Sequence, residues 1–316
     1  MKLKGKRILV TGGSGFLGRA IVKQLEQRGA NVYVSRSKHY NLIDYKACRR
    51  LFHYIMPQIV IHSAAFYGGI MLNQKYPARV YFKNLVMGAN VLEMCRIWDA
   101  EKVVVIGTAC SYPGEAEGDL REDQLWDGPC HDSVECYGMT KKMLSVQCKA
   151  YNKQYGLDGI HLILTNLYGE NDTFNPDRSH VVAALIRKFV EAKMSGAKEV
   201  EVWGSGKPIR EFLYVGDAAE AIARATGAHN GLEPMNIGTG IGTSIRELAE
   251  LMAEITGFGG EIIWDASKPD GAMRKVLDVS KMENVLKWQP ETSLEKGLEK
   301  TVKWFETNYE EAIKRW

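Results

Sequence analysis

A tyrosine and a lysine four residues apart are the first candidate reactive pair in this sequence. Tyr137 and Lys141 lie in a segment with helical periodicity, which would place both side chains on one face of a helix. A free phenol has a pKa of about 10, and a neighbouring ammonium would lower that pKa by stabilising the phenolate. We therefore predict that Tyr137 acts as a general acid or base and that Lys141 tunes it.

Thr108 offers a hydroxyl group that would act with this pair. It follows the apolar run from Val103 to Gly107, at the expected end of a strand. We predict that Thr108 hydrogen-bonds the oxygen of a bound substrate. The Tyr-x-x-x-Lys spacing alone is common in helices, and it indicates catalysis here because a strand-end hydroxyl and a glycine motif precede it in the chain.

Three glycines near the start of the chain form a candidate nucleotide-binding turn. Gly12, Gly15 and Gly18 follow the apolar run from Arg7 to Val10 and open an amphipathic segment, the context typical of a dinucleotide site. Gly12 would permit the tight turn, Gly15 the approach of a pyrophosphate and Gly18 close helix packing. The alternative is a turn without a ligand, which the flanking strand and helix disfavour. Further expected cofactor contacts are Phe16, Leu17, Ala64, Lys141 and Asn166.

The end of the second strand indicates which dinucleotide would bind. Enzymes with this strand–glycine turn–helix arrangement that use NAD usually carry an acidic residue at the end of the second strand. This chain has Ser35-Arg36-Ser37-Lys38 at that place. A guanidinium can pair with a 2′-phosphate through two hydrogen bonds, so we predict NADP(H) bound through Arg36. The alternative is that Arg36 is a solvated loop residue. By analogy, we also expect Asp44 to contact the adenine.

Short apolar runs alternate with helical patterns along the first half of the chain. Runs from Asn31 to Val34, Ile59 to His62, Lys102 to Ile106 and Ile160 to Leu164 read as strands buried on both faces. Such strands form parallel sheets. We predict an α/β fold with a doubly wound, Rossmann-type parallel sheet and a smaller mixed α/β substrate-binding domain. Two long helices are expected, from Asn84 to Trp98 and from Tyr137 to Tyr155.

The regular alternation ends near Asn166, which sets the expected domain boundary. We predict an NADP-binding domain over residues 1–166 and a mainly substrate-binding domain over 167–316, with segments near 212–240 returning to the first. A second glycine cluster, from Gly238 to Gly242, precedes Ser244 and Glu247, which form a capping box. This pattern favours a plain turn into a helix ending near Thr256 over a second nucleotide site.

Composition excludes several classes of protein. The 41 Lys and Arg against 38 Asp and Glu give a net charge of +3 without basic runs, which argues against nucleic-acid binding. The apolar runs are far shorter than the roughly 18 residues of a membrane helix, and no leader pattern is visible. The six cysteines show no Cys-x-x-Cys spacing, so we expect neither disulfides nor a metal site. We expect a cytoplasmic protein.

Several longer motifs are more specific than the cofactor pattern. They are Tyr67-Gly-Gly-Ile70 with Asn73 and Tyr76-Pro77, Gly107-Thr-Ala-Cys-Ser-Tyr-Pro113, Thr165-Asn-Leu-Tyr-Gly169, Ser179-His180-Val181, Val202-Trp-Gly-Ser-Gly206 with Arg210-Glu-Phe212, and Lys268-Pro-Asp-Gly271. Through these motifs, and over nearly its whole length, the sequence resembles the extended short-chain dehydrogenase/reductases and specifically the GDP-L-fucose synthase family.

The resemblance implies a reaction in two stages. The family epimerises GDP-4-keto-6-deoxymannose at C3 and C5 and then reduces the 4-keto group with NADPH. The ketone acidifies the C–H bonds at C3 and C5, so a base can remove a proton and an acid can return one. The resemblance assigns these proton transfers to Cys110 and His180, and protonation of the 4-oxygen to Tyr137. Without the resemblance, Cys110 would be interpreted as a small buried residue and His180 as a histidine at a helix N-terminus.

The resemblance also implies the substrate contacts. A diphosphate needs cations, and the expected contacts are Asn166, Lys188, Trp203, Arg210 and Arg274. The alternatives are that Lys188, Arg210 and Arg274 are surface charges and that Trp203 belongs to the core.

The sequence departs from the family pattern in ways that affect the substrate more than the chemistry. Lys188 stands where an arginine is usual, Tyr67 where valine is frequent, and Thr108 replaces serine but keeps the hydroxyl. Ser14 replaces a basic residue of some members. The alternatives are an enzyme that only epimerises or only reduces another nucleotide-activated keto sugar, such as a GDP-6-deoxyheptose, and a non-catalytic NADP sensor. The two long helices favour a homodimer.

Overall fold

The computed structural model describes residues 1–268 and 270–314. Pro269, in the motif that begins at Lys268, lies outside the described residues. The strands are β1 (Arg7–Thr11), β2 (Asn31–Ser35), β3 (Ile59–His62), β4 (Lys102–Thr108), β5 (Gly159–Leu164), β6 (Asn166–Tyr168), β7 (Glu199–Trp203), β8 (Ile209–Tyr214), β9 (Met235–Ile237), β10 (Gly242–Ser244), β11 (Glu261–Asp265) and β12 (Arg274–Lys275). The helices are α1 (Phe16–Gln27), α2 (Tyr45–Ile55), α3 (Ile70–Lys75), α4 (Pro77–Ile97), α5 (Glu135–Tyr155), α6 (Val181–Ser195), α7 (Val215–Ala228), α8 (Ile245–Thr256), α9 (Ser280–Leu286), α10 (Leu294–Thr307) and α11 (Tyr309–Ala312).

The centre of the fold is a six-stranded parallel sheet in the order β2-β1-β3-β4-β5-β9. Apolar side chains of α1, α7 and α9 cover one face, and those of α2, α4 and α5 cover the other. Every residue of β3 and β5 is buried, which is why these strands read as apolar runs interrupted only by His62 and His161. The predicted doubly wound, Rossmann-type sheet is confirmed.

The two long helices begin earlier than their sequence patterns indicate. Helix α4 starts at Pro77 rather than near Asn84, and the fixed φ of proline suits the first helical position. Most side chains over residues 77–83 are exposed, so that stretch lacks the apolar spacing by which a helix is recognised. Helix α5 starts at Glu135 and ends as predicted at Gly156, whose φ is 75°.

A second lobe carries its own core. Helices α6, α8 and α10 pack together beside the parallel pair β7–β11. Strand β8 joins β6, β10 and β12 in a separate small sheet. The chain returns to the first lobe twice, because β9 pairs with β5, and α7 and α9 pack on the face that α1 covers.

The second glycine cluster surrounds a buried carboxylate. Glu211 on β8 accepts hydrogen bonds from the backbone amides of Thr239, Gly240 and Leu277. Amides that would otherwise suit a phosphate are therefore used within the protein. The predicted capping box is present, since Ser244 and Glu247 exchange hydrogen bonds at the start of α8.

Three properties concern the described residues as a set. All six cysteines carry free thiols. Over residues 1–268 and 270–314, no cluster of three or more His, Cys, Asp or Glu side chains is placed to hold a metal ion. Within the same ranges, no helix combines the length and the apolar character needed to cross a membrane.

Candidate active site

A cleft of about 1240 Å³ runs between the two lobes, along the carboxyl ends of the parallel strands. This is where doubly wound sheets bind ligands, because the loops that follow the strands diverge there. The first lobe contributes the loops after β1, β3 and β4 and the start of α5, and the second lobe contributes β7, β8 and the start of α6. Site residues that line the cleft are Gly12, Gly15, Phe16, Leu17, Gly18, Ala64, Thr108, Cys110, Tyr137, Lys141, Asn166, His180, Lys188, Trp203 and Arg210.

The glycine turn forms a cradle of backbone atoms at one end of the cleft. Gly12 has φ +71°, and a Cβ atom there would lie 2.8 Å from the amide nitrogen of Ala64. A Cβ atom on Gly18 would lie 2.0 Å from the carbonyl oxygen of Gly12, so α1 packs directly on the turn. Among the residues that the structure describes, no side chain caps α1, which leaves the first-turn amides available to an anion. This geometry fits the pyrophosphate of a dinucleotide.

The end of β2 lies beside this cradle. Ser35 and Ser37 line the cleft, and the exposed side chain of Arg36 lies between them in sequence. Asp44 caps the helix that follows, and its predicted adenine contact stays a prediction. Its carboxylate caps α2 by accepting a hydrogen bond of 2.8 Å from the amide of Lys46, and it does not line the cleft.

Thr108, Tyr137 and Lys141 come together at the middle of the cleft. The Lys141 ammonium lies 6.0 Å from the centroid of the Tyr137 ring. The Thr108 oxygen accepts a hydrogen bond of 3.2 Å from the amide of Cys110, which leaves its own O–H free to donate. Helix α5 approaches this turn closely at Gly138. A Cβ atom there would lie 2.2 Å from the Cys110 carbonyl oxygen, so a larger residue would not fit.

Burial controls the protonation of the pair. Burial raises the pKa of Tyr137 well above its ordinary value and lowers the pKa of Lys141 to about 8. The predicted lowering of the Tyr137 pKa by Lys141 is therefore wrong for the protein without ligands, because desolvation of the phenolate dominates. At neutral pH the phenol carries its proton and is in the form that a general acid requires.

Cys110 and His180 face the cleft from opposite lobes. Cys110 lies in a short 3-10 turn after β4, near the guanidinium of Arg210. His180 precedes α6, and burial lowers its pKa, so the imidazole is neutral near pH 7. Its ring stacks on Tyr67 with 5.9 Å between centroids and 12° between planes. A thiol and a neutral imidazole are suitable groups for proton exchange.

The far end of the cleft presents an aromatic face and cations. Trp203 is 50% exposed, with the ammonium groups of Lys188 and Lys268 at 5.5 and 5.4 Å from its ring centroid. Lys188 also donates to the Glu201 carbonyl at 2.7 Å. Arg210 lines the cleft and donates to the Ile209 and Asp270 carbonyls.

Asn166 and Arg274 differ in how the structure places them. The Asn166 amide donates to the Glu211 carbonyl at 3.0 Å, which fixes its side chain in the cleft. Arg274, predicted as a substrate contact, is not among the cleft residues. It forms an ion pair with Asp119 instead, a partner 155 positions away that the sequence pattern does not show.

Two cleft residues beside His180 received no role from sequence reasoning. Arg178 donates to the Tyr67 carbonyl at 3.0 Å, and both residues line the cleft. The signals available were a cation two positions before His180 and an aromatic residue inside the motif that begins at Tyr67. Neither signal reveals that the two segments meet.

Comparison with known proteins places the chain in a family. The pattern of the NAD dependent epimerase/dehydratase family matches residues 8–238. The chain is 40% identical over 307 residues to the "Probable GDP-L-fucose synthase 1" of Oryza sativa subsp. japonica, covering 96% of this chain and 93% of the relative. It is also 40% identical over 314 residues to the "GDP-L-fucose synthase" of Escherichia coli (strain K12), covering 96% and 97%.

Solved structures agree in fold over almost the full length. A GDP-6-OMe-4-keto-L-xylo-heptose reductase from C. jejuni has a TM-score of 0.91 and 29% identity, covering 98% of this chain and 99% of that one. A GDP-L-fucose synthetase from Naegleria fowleri bound to NADP has a TM-score of 0.90 and 30% identity, covering 98% and 97%. The chain therefore belongs to the NAD dependent epimerase/dehydratase family and, within it, to the GDP-L-fucose synthase family.

Proposed function

We propose that this protein is an NADPH-dependent epimerase-reductase that converts GDP-4-keto-6-deoxymannose to GDP-L-fucose. The observation that carries the proposal is that one cleft holds both a ketone-reducing set, Thr108, Tyr137 and Lys141, and a proton-exchange pair, Cys110 and His180. A sensor without catalysis has no need of both sets. Relatives at 40% identity that are named GDP-L-fucose synthases support this substrate and product.

The glycine turn and the end of β2 would hold the cofactor. The pyrophosphate fits the turn from Gly12 to Gly18 at the start of α1, and Arg36 would pair with the 2′-phosphate. Ala64 and Lys141 would contact the nicotinamide half, and the NADP bound to the Naegleria fowleri neighbour supports this cofactor. When bound, the reduced nicotinamide supplies the hydride for the reduction.

Thr108 and Tyr137 would serve both stages by binding the 4-keto oxygen. Hydrogen bonds from the two hydroxyls stabilise negative charge on that oxygen, which makes the protons at C3 and C5 removable. Cys110 and His180 would then remove protons from these carbons and return them.

Tyr137 would next give its proton to the 4-oxygen during reduction. Because burial keeps this phenol protonated, the donor is ready at neutral pH. The nearby Lys141 ammonium would stabilise the phenolate that remains and so allow its reprotonation.

The far end of the cleft would bind the nucleotide diphosphate. The half-exposed ring of Trp203 offers a stacking surface for the base. Lys188 and Arg210 lie on the same side of the cleft and would balance the phosphate charge. Arg274 forms an ion pair with Asp119, and its predicted substrate contact stays a prediction.

One substitution separates the stages, and a second removes the proton donor of the reduction. We expect Cys110→Ser to suppress deuterium incorporation at C3 and C5 from D2O while sparing reduction of a ketone that is already epimerised. Tyr137→Phe should cripple that reduction by about a hundredfold or more, because it removes the proton donor. NMR of the products and the absorbance of NADPH measure the two stages. Equal loss of both stages in Cys110→Ser would contradict this division of labour.

A one-step reductase is the second candidate. The TM-score of 0.91 with the GDP-keto-heptose reductase favours it, since that neighbour is named for reduction alone. With its substrate, the wild-type protein would consume NADPH without incorporating deuterium at C3 or C5. A thermal-shift series with GDP, UDP, CDP and dTDP in the presence of NADPH identifies the base, because a ligand stabilises the folded state that binds it.

We also propose a homodimer formed through α4 and α5. These two helices pack on each other and carry the exposed apolar side chains of Tyr81, Phe82 and Val146. Apolar exposure of this kind supports a protein interface.

We further propose a cytoplasmic location. It is supported by the six free thiols, which persist in a reducing compartment.

A further inference from the structure

The loop after β3 docks against the turn that ends in His180. The amide of Gly69 donates to the Arg178 carbonyl at 3.1 Å, and the Arg178 guanidinium donates to the Tyr67 carbonyl at 3.0 Å. A Cβ atom on Gly69 would lie 2.8 Å from the Ser179 carbonyl oxygen. The two segments, one from each lobe, are therefore in backbone contact directly beside His180.

The same loop is fixed from its other side. The Asn84 side chain on α4 accepts from the Phe66 amide at 2.8 Å and donates to the Phe66 carbonyl at 2.9 Å. Asn73 on α3 donates to the Gly68 carbonyl at 3.2 Å. Tyr67 lies between these anchors, so its ring has a defined place on the wall of the cleft.

His180 lacks the usual means of orientation. A histidine that transfers protons is commonly held by a hydrogen bond from one ring nitrogen to a carboxylate or carbonyl. In the part of the chain that the structure describes, no hydrogen bond to either ring nitrogen of His180 is formed. The ring of Tyr67 lies nearly parallel to the imidazole, with 5.9 Å between the two centroids.

We propose that Tyr67 is a positioning residue that holds His180 for proton transfer to the keto sugar, a role that rests on the proposed function. The ring carries this role, because it makes the contact with His180. Within residues 1–268 and 270–314, no protein group hydrogen-bonds to the Tyr67 hydroxyl.

Three variants of the full-length protein test this role. Tyr67→Phe keeps the ring, Tyr67→Leu removes it, and Tyr54→Leu makes the same change at a 75% exposed site on α2. We expect Tyr67→Leu to slow deuterium exchange at C3 and C5 by about tenfold to a hundredfold, the cost of a misplaced catalytic group. Reduction of an already epimerised ketone should stay close to the wild-type rate, because His180 takes no part in that stage. Tyr67→Phe and Tyr54→Leu should match the wild type in both assays.

Any other outcome of these assays contradicts one of the claims made for Tyr67 or for the proposed function. Wild-type exchange rates in Tyr67→Leu would overturn the positioning role, as would an equal loss of exchange and reduction. Loss of exchange in Tyr67→Phe would assign the positioning role to the hydroxyl and contradict the claim that the ring carries it. A wild-type protein that reduces but does not exchange would contradict the proposed function first, and the role of Tyr67 with it.

NMR of the imidazole tests the geometry without substrate and without the leucine variant. The His180 ring protons, identified by their loss in His180→Gln, should show nuclear Overhauser contacts with the ring protons of residue 67 in the wild type and in Tyr67→Phe. Absence of these contacts in both proteins would overturn the stacked arrangement.

Discussion

At the scale of single residues, Lys141 shows how burial and chemistry conflict. Its side chain is almost fully buried, and no carboxylate forms an ion pair with it in the described ranges. The imidazoles of His62 and His161 are buried nearby, and burial and Lys141 together lower the pKa of each to about 3. The site therefore holds an ammonium whose charge no carboxylate balances. This charge destabilises the fold, but it can stabilise a phenolate of Tyr137.

Replacement of this lysine should change how stability depends on pH. The pKa of Lys141 is about 8 in the fold, below the 10.5 of a free lysine. Between these values the unfolded chain binds more protons, so stability rises with pH there and the cost of Lys141 is fully present below about 8. We expect Lys141→Met to be up to about 3 kcal/mol more stable than the wild type at pH 7.

The advantage of Lys141→Met should shrink as the pH rises from 8 to 10. Urea unfolding of the coenzyme-free proteins at pH 7, 8, 9 and 10 measures it. A difference between the two proteins that stays constant over this range would show that the lysine is not buried as a charge.

Residue types and their order were enough to select residues that meet in one cleft, but not to predict their environments. Thr108, Tyr137 and Lys141 were predicted from chain order and line one cleft. The pKa of Tyr137 was predicted in the wrong direction, because desolvation depends on all the atoms that surround the ring. The capping role of Asp44 is a local signal at the start of α2 that could have been recognised from sequence.

At the scale of elements, the strand runs of the first lobe were the most predictable feature. Strands β3 and β5 are buried on both faces, so all their positions except His62 and His161 are apolar or small and the run is visible in the sequence. Strands β10 and β12 contain three and two residues, too few to give any periodic signal. Their positions depend on pairing with β8, a distant segment that no local pattern shows.

The junction of β1 and α1 gives a prediction at this scale. We expect Gly18→Ala to weaken NADPH binding by at least about tenfold and to lower the melting temperature, because the new methyl group would collide with the Gly12 carbonyl and displace α1. Gly259→Ala is the control, since a Cβ atom there meets nothing within 4 Å. Titration of NADPH by fluorescence measures affinity, and unchanged binding in Gly18→Ala would show that the cradle tolerates a shift.

At the scale of the whole molecule, the residues of the proposed catalytic set meet only because two lobes face one another. Cys110, Thr108 and Tyr137 come from the first lobe, whereas His180 precedes α6 of the second. The chain returns to the first lobe through β9, α7 and α9, which ties the lobes together at several points. The contact between Tyr67 and His180 crosses the same boundary, and sequence patterns cannot reveal it because the residues are 113 positions apart.

The most direct test of the account follows one reaction of the wild-type protein. GDP-4-keto-6-deoxymannose and NADPH are incubated with the protein in D2O, and the product is analysed by NMR. The account predicts consumption of NADPH, solvent deuterium at C3 and C5, and hydrogen from the coenzyme at C4. A reduced product without deuterium at C3 and C5, or no consumption of NADPH, would contradict the claim that one cleft performs both stages.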